Sequence, residues 1–170
     1  MNKYNIKFKN GKLHSIKFTR YKLLGKKSKF TKYWIIEFNE NCLYQDNYIN
    51  TNSLVGYRIV GTDDFIELGW RPMNNKIGLS FVQYLSGKQS VEHVLSVEPG
   101  VSYLISLKID AETKSAYVSC ENILDRGYRL VTKHDISALS DECHLLATKK
   151  PSVVSGTTGE INLEVESIKI

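Results

Sequence analysis

The first 36 residues contain no carboxylate: Glu37 is the first acid, and ten lysines and Arg20 precede it. That segment therefore carries +11, while the rest of the chain, with 12 basic and 18 acidic residues, carries −6. Three readings fit a basic arm on an acidic body: a polyanion ligand, an acidic partner protein, or a solvated strand face. Long apolar runs are missing too. Val101 to Leu107 is broken by serines and is far shorter than the ~20 residues a bilayer requires, so no membrane span is expected. The N-terminus lacks the continuous apolar stretch and small-residue cleavage site of a secretory signal, so a cytoplasmic or virion-associated location is expected. Cysteine is scarce. Cys42, Cys120 and Cys143 are an odd number at irregular spacings, which reads as reduced thiols rather than a disulfide framework.

With 42% apolar and 24% charged residues, the chain is neither disordered nor collagenous. A length of 170 residues predicts one domain, residues 1–170, with a core that needs no disulfides. Helical periodicity is absent and period-2 alternation dominates. Tyr4, Ile6 and Phe8 alternate with Lys3, Asn5, Lys7 and Lys9, and the pattern resumes at His14, Ile16 and Phe18. A three-residue Lys9-Asn10-Gly11 loop would align Ile6 with His14 and Tyr4 with Ile16, so a basic hairpin is expected within residues 1–36. Further strands read as Tyr33 to Phe38, Leu54 to Val60, Phe65 to Arg71, Ile77 to Leu85 and Ser90 to Val97. Val101 to Ile109, Ser115 to Cys120 and Ile161 to Ile170 follow. The intervening Gly, Asn, Asp and Ser clusters are turn signals. Asn122 to Leu146 lacks clear alternation and is expected to be an irregular or short-helical connection. The fold class is all-β, an antiparallel β-sandwich.

The run from Ile77 to Ser119 has an alternating strand, a Ser86-Gly87-Lys88 turn, a second strand and Glu98-Pro99-Gly100. It continues through Val101-Ser102-Tyr103, a strand ending at Asp110, and Ala116-Tyr117-Val118. This order resembles the central meander of concanavalin A-like and laminin-G-like jelly rolls. Gly159-Glu160-Ile161 and the alternation after it resemble their closing strand. Gly69-Trp70-Arg71-Pro72 ahead of Asn75-Lys76 is similar to small proteins of gut Bacteroidetes and their phages. The resemblance implies a lectin-like jelly roll over about two-thirds of the chain, and says little of function, because sandwiches host many roles.

Catalytic patterns associated with this fold class are missing. Glucanases of the class carry a Glu-x-Asp-x-x-Glu strand, because two carboxyl groups must flank the scissile bond. Glu37 and Glu40 lie on opposite faces of a strand. The Gln-x-His strand and Tyr-rich closing strand of alginate-lyase-like sandwiches are not found either, and Gly87-Lys88 lacks the upstream glycine of a phosphate loop. His134, Cys143 and His144 offer zinc-type donors, but adjacent Cys143 and His144 converge poorly on one ion. No cofactor is expected. Calcium is the alternative, at Asp63-Asp64 or Asp46-Asn47, although Asx residues in turns commonly bond their own backbone.

Strand parity sorts the remaining candidates. Ile66, Leu68 and Trp70 face inward, leaving Phe65, Glu67 and Arg71 on the other face. Trp34, Ile36 and Phe38 leave Tyr33 and Glu37; Leu79, Phe81 and Leu85 leave Ser80 and Tyr84; Val55, Tyr57 and Ile59 leave Arg58. Arg58, Glu67, Arg71, Tyr84, Tyr33 and Glu37 are thus the candidate ligand-binding residues. Aromatic rings stack on pyranose faces, and Arg and Glu bond hydroxyls directionally. Cross-strand charge pairing on a solvated sheet would use the same residues. The sequence thus points to a non-catalytic, lectin-like carbohydrate-binding module. Its alternative is a structural or adhesion subunit of a larger assembly, such as a phage virion, docking an acidic protein partner through residues 1–36. Nucleic acid is not the expected partner, since Tyr4, Phe8 and Phe18 share the apolar face.

Overall fold

A computed structural model describes residues 2–8, 18–25, 28–43, 51–125, 129–148 and 161–168. Twelve strands lie in them: β1 (Asn2–Phe8), β2 (Phe18–Leu24), β3 (Lys29–Phe38), β4 (Asn52–Ile59), β5 (Phe65–Met73) and β6 (Lys76–Leu85). β7 (Lys88–Val97), β8 (Ser102–Asp110), β9 (Ser115–Asn122), β10 (Arg129–Asp135), β11 (Cys143–Thr148) and β12 (Ile161–Ile168) follow. A single 3-10 turn at Glu40–Cys42 is the one helical element among the described residues. The strands form two six-stranded sheets: sheet A in the order β1-β12-β3-β8-β9-β10 and sheet B in the order β2-β11-β4-β5-β6-β7. All the pairings are antiparallel. The fold is a jelly-roll β-sandwich, as the strand pattern predicts.

The period-2 alternation becomes the core. From sheet A, Trp34, Ile36 and Phe38 of β3 meet Ile105, Leu107 and Ile109 of β8; from sheet B come Ile66, Leu68 and Trp70 of β5 and Leu79 and Phe81 of β6. Two ring contacts cross between the sheets: Phe38 to Trp70 at 5.4 Å and Phe30 to Tyr57 at 5.1 Å between centroids. Burying side chains of this size is worth about 1.5–3 kcal/mol each relative to exposure. The meanders are set by their turns. Asn74 and Asn75 both have positive φ between β5 and β6, and so do Ser86 and Gly87 between β6 and β7. Two-residue loops of that hand match the twist of the flanking strands.

Two sequence expectations give way. β1 pairs with β12 in sheet A, while β2 pairs with β11 in sheet B, so the basic segment supplies one strand to each sheet. The Lys9-Asn10-Gly11 loop, His14 and Ile16 lie outside the described residues. Asn122 to Leu146 is not one irregular connection: it contains β10, paired with β9, and β11, which bridges β2 and β4. Alternation is hidden in β10 because two of its inward positions hold Thr132 and His134 instead of apolar side chains.

Candidate functional site

The register of β4, β5 and β6 brings four of the six candidates together on the outer face of sheet B. Arg58 stands opposite Phe65, and Phe65 opposite Tyr84. One row inward, Gly56 stands opposite Glu67 and Glu67 opposite Val82. The next rows pair Ser53 with Gly69 and Gly69 with Ser80, then Arg71 with Gly78.

The first row is a three-layer stack. Arg58 lies with its guanidinium carbon 4.9 Å from the Phe65 ring centroid, and Phe65 stacks on Tyr84 at 6.0 Å with 16° between ring planes. All three are half-buried, so each keeps a surface open to a ligand. Phe65 belongs with the candidates. Its parity is legible, but its place between Arg58 and Tyr84 depends on strand order.

Glu67 sits differently from its neighbours on this face. Its side chain is buried, and its Oε2 accepts a 2.8 Å hydrogen bond from the Ser53 hydroxyl. Burial pushes its carboxyl above the ordinary carboxylate range, and the Ser53 bond and the Arg58 charge offset part of that rise. Glu67 thus holds up the floor. Gly56 is required beside it, because a Cβ there would come within 2.4 Å of the Glu67 Cα and the Ile66 carbonyl oxygen. Gly69 and Gly78 play a related part: Thr51 and Met73 occupy the space that side chains there would need.

Tyr33 and Glu37 do not join this group. β3 lies in sheet A, so their outward side chains are on the opposite surface of the sandwich. Tyr33 stands opposite Ser106, and Glu37 accepts a 2.5 Å hydrogen bond from Ser102. The parity of both is as expected. Only their sheet differs, which period-2 alternation cannot reveal.

The zinc-type donors are likewise separated. His134 is on β10 of sheet A, whereas Cys143 and His144 are on β11 of sheet B, with Cys143 buried and His144 exposed. No group of three or more His, Cys, Asp or Glu is placed to hold a metal ion among the described residues. Asp64 Oδ1 accepts the Ser86 backbone N–H at 3.0 Å, and Asp46-Asn47 lies outside the described residues. The three cysteines are buried and none is in a disulfide. Desolvation pushes Cys42 and Cys120 up to about 12, which keeps them protonated at neutral pH. No helix among the described residues is long and apolar enough to cross a membrane.

A second polar cluster, not anticipated from the sequence, closes the margin where β7 and β10 face each other across the sandwich. His134 is buried and stacks on Phe81 at 4.2 Å. Its Nδ1 is 2.7 Å from Glu92 Oε2, and its Nε2 is 2.8 Å from Thr132 Oγ1. Beside it, Gln83 donates to the Asp135 carbonyl at 3.1 Å.

No family model and no curated protein matches the chain. Among solved structures, it is similar to the alginate lyase from Klebsiella pneumoniae, with a TM-score of 0.58 and 11% identity over 81% of this chain and 59% of that one. It is also similar to the alginate lyase Aly36B, with a TM-score of 0.59 and 9% identity over 96% and 78%. A third is the CBM2 module of the evolved Dit of Lactobacillus casei BL23 phage J-1, with a TM-score of 0.51 and 8% identity over 86% and 66%. The chain thus spans about six-tenths of the Klebsiella lyase. At these identities the likeness shows the fold alone, a jelly-roll β-sandwich, consistent with a concanavalin A-like fold.

Proposed function

We propose that the chain is a non-catalytic carbohydrate-binding module whose ligand lies on the outer face of sheet B. The observation that carries this reading is the half-buried Arg58–Phe65–Tyr84 stack, set on one sheet face with Arg71. A pyranose ring packs its apolar face on the aromatic pair, and the guanidinium groups bond its oxygens. The fold neighbours named as alginate lyases and a CBM2 module support a carbohydrate ligand. The non-catalytic part rests on Glu67, the one outward carboxyl group of β4 to β7. It is buried against Ser53 and faces no second carboxyl group, which argues against glycoside hydrolysis.

The test is a glycan array probed with wild type and an Arg71→Ala/Tyr84→Ala variant, with and without calcium. Selective hits that the variant loses are expected. Unchanged hits in the variant would remove the site from this face, and cleavage of a bound glycan, by hydrolysis or by elimination, would overturn the non-catalytic part.

A second reading is a structural or adhesion subunit, in which the basic segment docks an acidic protein partner. It draws on the topology: β1, with Lys3 and Lys7, and β2, with Arg20 and Lys22, are the outermost strands of their sheets and contain no acid. The two roles are compatible, and the phage-borne module of the same fold is consistent with both. The resemblance of Gly69-Trp70-Arg71-Pro72 to proteins of gut Bacteroidetes and their phages belongs with this second reading.

A further inference from the structure

We infer that the ligand is an anionic glycan with acidic groups repeated along its length, held at Arg58 and Arg71. This rests on the carbohydrate reading and names the class of saccharide.

The balance of charge on the face comes first. Among the described residues, the outward charged side chains of β4 to β6 are Arg58, Glu67, Arg71 and Lys76. Lys76 is engaged by Glu98 at 3.5 Å. Glu67 is turned into the floor and bonded to Ser53, and its burial favours the neutral form. Beside the exposed Lys76–Glu98 pair, the charge that β4 to β6 offer on this face is that of the two arginines. Neither forms an ion pair with a carboxylate among the described residues, although both are half-buried. Arg58 acts on the buried Glu67 carboxyl without an ion pair to it, and a half-buried guanidinium with no directly bonded anion is unfavourable. Its planar fork matches a carboxylate or sulfate group with two parallel hydrogen bonds. Arg58 is already oriented for this by its stacking on Phe65.

Spacing gives the second part. Phe65 stands opposite Arg58, and Arg71 is six positions further along β5, about 20 Å at the usual rise of a strand. No single acidic group reaches both. An extended saccharide with acidic groups at intervals does. Between the arginines the outward positions Glu67, Gly69, Ser80 and Val82 are buried, and Thr51 and Met73 fill the space over Gly69 and Gly78, so the ligand crosses that layer between its two anchoring ends. The chain direction of the ligand is then along β5, from the Phe65–Tyr84 pair toward Arg71.

Isothermal titration of the full chain tests this with four probes: a homo-oligouronide octasaccharide, its disaccharide, a neutral cello-oligosaccharide of octasaccharide length, and a sulfated octasaccharide. The oligouronide octasaccharide is expected to bind, more weakly as salt is raised. The disaccharide should bind at least about tenfold less tightly, because it engages one arginine at a time. Arg71→Gln should lower octasaccharide affinity by about 10- to 100-fold and abolish the advantage of length, the size expected for losing a charge-assisted pair. Arg71→Lys should recover part of the loss, since it keeps the charge without the fork. Binding of the sulfated octasaccharide alone would keep the anionic class and assign the charge to sulfate. Equal binding of neutral and anionic octasaccharides by the wild type would overturn the inference and leave the carbohydrate reading standing, whatever the variants do. No binding of any saccharide would overturn both.

Discussion

Glu67 shows how one residue can be oriented as the sequence implies and yet have a different role. Its outward parity follows from β5 alternation, and the same parity would suit a group that bonds a ligand. Gly56 and Ser53 on β4 instead leave room for it to settle into the sheet surface, where water is excluded. Its carboxyl is raised above the range it has in an unfolded chain, with burial as the main cause. The folded protein therefore binds the proton more readily than the unfolded one. This contribution to stability is fully present below the ordinary carboxylate range and is lost as pH rises through the raised value. Glu67→Gln keeps an acceptor for the Ser53 hydroxyl and carries no charge. It should melt at a higher temperature than wild type at neutral pH, with the difference closing as pH falls below the ordinary carboxylate range. Thermal melts across that range decide it, and a variant less stable than wild type at neutral pH would contradict the assigned cause. Tyr33 and Glu37 teach the complementary lesson: alternation gives the face of a side chain, but not the sheet to which its strand belongs.

At the scale of elements, the legible strands are those with apolar residues at alternate positions. β5 and β6 were delimited by such residues and by Asn74-Asn75 and Ser86-Gly87, whose left-handed conformations suit two-residue hairpins. β10 was not, because Thr132 and His134 occupy its inward positions. The partners of β1 and β2 were hidden for another reason. Each pairs with a strand more than a hundred residues away in sequence, and local pattern carries no record of such a pairing. The polar residues that hide β10 also fasten it. Glu92 from β7 and Thr132 from β10 satisfy both ring nitrogens of His134 at the open margin between the sheets. Inward polar groups at an edge also discourage pairing with another chain. Glu92→Ala leaves a buried imidazole nitrogen without its partner and should cost about 1–3 kcal/mol in denaturant unfolding. Glu92→Gln, which retains a hydrogen-bonding group, should cost less. Equal losses in the two variants would show that the hydrogen bond is not what stabilises this margin.

For the whole molecule, the two sheets have different surfaces. Sheet B gathers an arginine–aromatic stack and Arg71 on its outer face, with Thr51 and Met73 packed over Gly69 and Gly78 between them. Sheet A turns Tyr33, Glu37 and the Ser106–Ser119 hydroxyl pair to the other side. The basic arm is divided between them at β1 and β2. Alternation and turn chemistry made the sandwich legible. The outward parity of Arg58, Phe65, Glu67, Arg71 and Tyr84 was legible, and only the order β4-β5-β6 brings them side by side on one face. The most direct test of the central claim is amide chemical-shift mapping on a nitrogen-labelled chain, titrated with a saccharide it binds. Perturbations should concentrate on β4, β5 and β6, around Arg58, Phe65, Arg71 and Tyr84, and leave β3 and β8 of sheet A unchanged. Perturbations confined to sheet A, or to the outer strands β1 and β2, would contradict a carbohydrate site on sheet B.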